Sequence, residues 1–144
     1  MVEQDTIKLL RECDAGVKMG IDSIESVLEY VKRSDFKQRL INCKDEHERL
    51  NDQLQNILKD YHDDGKSPNP VAKGMSWIKT NTMLSINESD STVADLITDG
   101  CNMGVKSLNK YLNKYEAADE RSKTVAKKLI RSEEQLAVDI RKYP

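Results

Sequence analysis

Aromatic residues are scarce in this 144-residue chain, with one Trp, one Phe and five Tyr, and there are only three prolines. So few flat, bulky side chains argue against a β-sandwich core, which relies on aromatic and β-branched alternation. Cysteine is sparse and odd in number, at positions 13, 43 and 101, with no C-x-x-C pair. That pattern builds neither a disulfide framework nor a zinc knuckle, and a reducing cytoplasm is the expected compartment. No apolar run approaches the roughly 18 residues a membrane span needs. The opening MVEQDTIKLL has neither the basic start nor the apolar stretch of a signal peptide. The net charge is −2, and lysines alternate with acids, so the expectation is a solvated helical surface with no nucleic-acid partner and no membrane.

What the chain does have is helical periodicity. Ile7, Leu10, Val17, Ile21, Ile24, Leu28 and Val31 recur at spacings of three and four, with Asp14 interrupting. They predict a helix over about 5–32, with Asp5 as its cap. Asp35 and Gln38 resemble a capping box that restarts the chain after Ser34. A second helix then carries Phe36, Leu40, Cys43, His47, Leu50, Leu54, Ile57 and Tyr61, and stops near Gly65, the expected left-handed residue. The GKSPNPVAKG stretch opens a connection over 64–91, holding a shorter helix at about 71–87 with Trp77. Two more helices follow, over about 92–114 and 119–142. The fold class expected is all-α, a single domain over 1–144: hairpin 5–63, crossover 64–91 and hairpin 92–143 in an up-down four-helix bundle.

The two hairpins echo each other. CDAGVK at 13–18 recurs as CNMGVK at 101–106, and FKQRLI at 36–41 returns as VAKKLI at 125–130. Offsets of 88 and 89 suggest an internal repeat with pseudo-two-fold packing. Each hairpin also places two glycines one turn apart inside its first helix: Gly16 with Gly20, and Gly100 with Gly104. Glycine costs about 1 kcal/mol per helix-interior site relative to alanine. Such positions are candidates for close helix contact or an interface, together with Trp77.

Chemistry-bearing residues are few. Asp14 and Glu133 fall on apolar faces, and His47 lies among Cys43, Leu50 and Leu54. A buried carboxylate needs a partner or a metal, so Asp14, His47 and Glu133 form the candidate metal set, with Cys13, Cys43 and Cys101 as candidate thiols. Carboxylate-bridged metal bundles take Glu-x-x-His from two helices. Here the residues three before His47 and His62 are Lys44 and Lys59, and the fourth helix has no His. No phosphate loop, nucleophile elbow or other catalytic motif occurs.

Two hairpins, a crossover with GMSWIKTN and a second half opening LITDGCNMGVKSLNKYL together resemble bacterial ferritin-like four-helix-bundle families of unknown function, some of them stress-associated. The resemblance implies an up-down bundle, often dimeric. Because Glu-x-x-His is missing, the expectation is a non-catalytic homodimer, or a bundle with a separate protein partner, without a cofactor. The alternative is an atypical site for Fe, Mn or Zn, or a redox site, drawing on the residues named above.

Overall fold

Residues 2–65 and 89–143 are described by a computed structural model, and they hold four long helices with no strand among them. Helix α1 spans Val2–Val27 and passes into a 3-10 turn at Leu28–Tyr30. Helix α2 spans Ser34–Asp60, α3 spans Asp90–Lys114 and α4 spans Glu120–Asp139. Trp77 and the expected 71–87 helix lie outside the described residues. No helix among those described is long and apolar enough to cross a membrane.

The apolar stripes turn inward and meet in two separate clusters. One joins Ile24 and Val27 of α1 to Phe36 and Leu40 of α2, Val93 and Ile97 of α3, and Leu136 and Ile140 of α4. The other joins Leu9, Leu10 and Val17 to Leu50, Leu54 and Leu58, Leu108, and Val125 and Leu129. The first cluster thus gathers the end of α1, the start of α2, the start of α3 and the end of α4. Helices α2 and α3 therefore run the same way, and Gly65 and Ser89 lie at opposite ends of the bundle. Helix α1 packs on α2, α3 and α4, and α4 packs on all three others; the α1–α2, α3–α4, α2–α4 and α1–α3 pairs are antiparallel, while α1 and α4 run parallel.

Polar side chains clasp both ends. At one, the Asp90 carboxylate accepts the backbone N–H groups of Lys32 at 2.8 Å and Arg33 at 3.0 Å. This fixes the α1–α2 turn against the start of α3, and it explains why α1 stops before Lys32. Phe36 stacks on Tyr143 with ring centroids 4.5 Å apart, and the Tyr143 hydroxyl donates to Asp35 at 2.8 Å. At the other end, Asp5 accepts from Ala117 N at 3.1 Å and Thr6 from Asp119 N at 2.8 Å. Tyr61 also donates to Asp119 at 2.6 Å.

These contacts revise three local expectations. Asp5 lies inside α1 and serves the distant α3–α4 loop rather than capping its own helix. Asp35 lies inside α2, where it accepts from Phe36 N and from Tyr143, so the capping box does not form. Gly65 is left-handed as expected, with φ 82°, but the residue that closes α2 is His62, with φ 55°. His62 N bonds Lys59 O at 3.0 Å and Asp63 N bonds Leu58 O at 3.0 Å, which is the Schellman pattern with histidine where glycine is usual. Ser89 and Asp119 cap α3 and α4, accepting from Thr92 N and Ser122 N.

His62 is exposed, and a side-chain-bearing residue pays about 1–2 kcal/mol in this conformation. Part of that returns through the greater unfolded-state entropy of glycine. His62→Gly is therefore expected to raise unfolding free energy by about 0.5–1 kcal/mol in denaturant titrations, with an unchanged m-value.

Candidate functional site

Between the two apolar clusters lies a polar layer. His47 of α2 is fully buried and Glu133 of α4 is 1% exposed. Each sits on the inward stripe of its helix, four or three residues from cluster members on either side, so helical geometry alone carries it to the axis. The His47 Nδ1 lies 3.0 Å from the Cys43 carbonyl oxygen one turn back. A carbonyl can only accept, so Nδ1 carries hydrogen and the opposite nitrogen, Nε2, addresses Glu133 Oε1 at 3.7 Å. The Cys43 Sγ lies 3.6 Å from His47 Nδ1 and 3.7 Å from Ser132 Oγ. Cys43 and Ser132 are the residues that the 89-residue offset equates.

The layer also explains one glycine. A Cβ built at Gly104 of α3 would stand 2.8 Å from Glu133 Oε2 and 2.9 Å from Oε1. The carboxylate occupies the space that any other residue would fill. Gly20 is buried on α1 between Val17 and Ile24, at the boundary of the same two clusters. Gly100 is buried as well, beside Cys101. Gly16 is different: it is half-buried, and a Cβ there would meet no described atom within 4 Å.

Proton affinity follows from this burial. For His47, loss of solvent lowers the pKa, but hydrogen bonds and charge interaction with Cys43 and Glu133 outweigh it and lift it to about 10. For Glu133, burial raises the carboxyl above its usual range and His47 offsets only part of that. Both directions mean that the pair retains a proton which its members would release in an unfolded chain. Cys13, fully buried, is pushed up to about 12 by burial and by the nearby carboxylates of Glu12, Glu133 and Asp14. Cys101, also fully buried, is raised by burial, then by Glu133 and Cys43. At neutral pH those two sulfurs are thiols, not nucleophilic thiolates. All three cysteines are free.

Asp14 does not join the layer. Its carboxylate is buried, accepts from Gln55 Nε2 at 2.8 Å and pairs with Lys18 Nζ at 2.9 Å. Gly65, with φ 82°, closes over it; a Cβ at that position would overlap Asp14 Oδ2. Gln55 lies two helical turns from His47, about 12 Å along α2. The structure therefore brings His47, Glu133 and Cys43 together and places Asp14 elsewhere. Among the described residues, no group of three or more His, Cys, Asp or Glu side chains is placed to hold a metal ion. That donor set does not fit a carboxylate-bridged metal pair: one histidine, one carboxylate and a sulfur, with Asp14 committed to Lys18 and Gln55. Ser132 and the space beside Gly104 carried no sequence signal for a shared site, because both depend on which helix stands opposite.

Two measurements probe the layer. Gly16→Ala is expected to stabilise by up to about 1 kcal/mol, since it improves helix propensity in open space. Gly104→Ala should instead destabilise, because the buried Glu133 carboxylate must shift from its place facing His47 to admit the new Cβ. In a Glu133→Ala background the same change should turn stabilising, a non-additivity that a double-mutant cycle reads directly.

The pH dependence has a definite sign. Native His47 binds its proton more tightly than an unfolded histidine, so its contribution is complete below about pH 6.5 and is lost as pH rises towards about 10. The raised Glu133 slopes the same way. Unfolding free energy should therefore decline across that window, and His47→Gln should flatten the decline.

Comparison with protein-family models, with curated proteins and with solved structures finds no match to this chain.

Proposed function

We propose that this chain is a ferritin-like helical bundle that works through self-association or protein contact rather than through catalysis, with a homodimer as its simplest form. The connection supports the ferritin-like part of this reading. Helices α2 and α3 run in the same direction, so one long crossover joins them, as ferritin-like bundles require. The resemblance of the two hairpins and the GMSWIKTN segment to such families points the same way.

The observation that carries the interaction role is where the chemistry lies. Beside Asp14, which is buried and paired with Lys18, the described side chains of the bundle core capable of acid–base or nucleophilic work include His47, Glu133 and the three cysteines, and each is at most 7% exposed. A groove of about 330 Å³ between α2 and α4 is lined by Gln53, Asn56, Ile57, Arg121, Thr124, Val125 and Lys128. It holds none of those five. A substrate has no described route to the polar layer, whereas the outer helix faces are open to a partner. On this reading His47 and Glu133 set the register of the helices.

Light scattering and metal analysis on one purified sample test both halves of the proposal. The expected result is a particle of twice the 16.4 kDa chain mass without stoichiometric metal. A monomer at micromolar concentration would overturn self-association. Near-stoichiometric iron, manganese or zinc would overturn the non-catalytic reading, and would make His47, Glu133 and Cys43 the first residues to replace.

A further inference from the structure

The three cysteines of the core are not equivalent. Cys13 and Cys101 are fully buried, and burial above all pushes both thiols up, Cys13 to about 12. Cys43 differs. It is 7% exposed, and among the described residues it is the cysteine whose sulfur meets polar side chains. Two local features bring those side chains to it. His47 follows Cys43 by four residues on α2, so the two share a face. Ser132 and Glu133 are neighbours on α4, which packs against that face.

The contacts run in a line. Cys43 Sγ lies 3.6 Å from His47 Nδ1 and 3.7 Å from Ser132 Oγ. The Nδ1–H is shared between that sulfur and the Cys43 carbonyl oxygen at 3.0 Å, and the Ser132 hydroxyl can rotate to donate to sulfur. Although burial lowers its proton affinity, contacts with Cys43 and Glu133 lift the His47 pKa to about 10, so the ring is an imidazolium at neutral pH. On its far side Nε2 faces Glu133 Oε1 at 3.7 Å. The order is therefore thiol, imidazole, carboxylate: a nucleophilic atom, a nitrogen within reach of it and a third group that orients the ring. A cation and two donors beside a sulfur activate it towards small oxidants. Glu133 Oε2 has no hydrogen-bond partner although the residue is 1% exposed, so the layer has polar capacity left for a water-sized molecule.

We propose that Cys43, flanked by His47 and Ser132, is a peroxide-sensitive thiol that hydrogen peroxide oxidises selectively to a sulfenic acid. In that step Sγ attacks one peroxide oxygen, an S–O bond forms and the O–O bond breaks. Sulfur gives up two electrons, and the departing hydroxide takes the proton lost by the thiol and leaves as water. The other peroxide oxygen stays on sulfur as S–OH. A larger substrate has no described route to this layer, but hydrogen peroxide is little bigger than water and Cys43 is not fully enclosed. The reaction consumes one thiol per chain and is the same for a monomer and a dimer, so it stands apart from the self-association proposed above.

The test exposes the full chain to hydrogen peroxide for timed intervals and stops the reaction with catalase. The chain is then unfolded in dimedone, and peptide mass spectrometry reads sulfenic acid at each cysteine. Cys43 is expected to be labelled roughly tenfold faster than Cys13 or Cys101. Ser132→Ala and His47→Gln should each slow Cys43 several-fold, because each removes one donor to sulfur while leaving the cysteine in place. A variant that loosens the core raises all three cysteines together, so the quantity read is the ratio of Cys43 to Cys13. Equal rates at the three cysteines, no labelling short of global unfolding, or a ratio unchanged by both substitutions would each overturn the proposal.

Discussion

A buried imidazole facing a buried carboxylate, His47 against Glu133 at 3.7 Å, is the constraint around which the interior is organised. Taking both groups out of water costs several kcal/mol each, and the attraction between them recovers this only in the right geometry. The layer divides the apolar core into two clusters and demands space, which α3 supplies by having no side chain at Gly104. Sliding α4 by one turn would strand Glu133 among leucines and leave His47 facing hydrocarbon. An apolar layer at this level would tolerate such slippage far better.

That register propagates to the ends. Asp90 holds the backbone of the α1–α2 turn, while Asp5 and Thr6 hold the backbone of the α3–α4 turn. In both places a side chain near the start of one hairpin's first helix satisfies N–H groups in the connection of the other hairpin. Each hairpin is therefore closed by the other, and neither turn is complete alone. The two C-x-x-G-V-K segments differ in their surroundings: Gly104 accommodates Glu133 and Gly16 accommodates nothing described.

Much of the fold was legible in the sequence because helical periodicity is a local signal. The spacing of Leu40, Cys43, His47, Leu50 and Leu54 places them on one stripe whatever stands opposite. The four helices and the two short turns follow from such patterns. So does the inward placement of Asp14, His47 and Glu133. Two things were decided only by tertiary structure, since each depends on a residue far away in the chain. Asp14 finds Gln55 and Lys18 rather than His47, because helix rise separates the two levels. Asp5 and Asp35 leave the helix starts that local rules assign them for Ala117 and Tyr143, more than a hundred residues on.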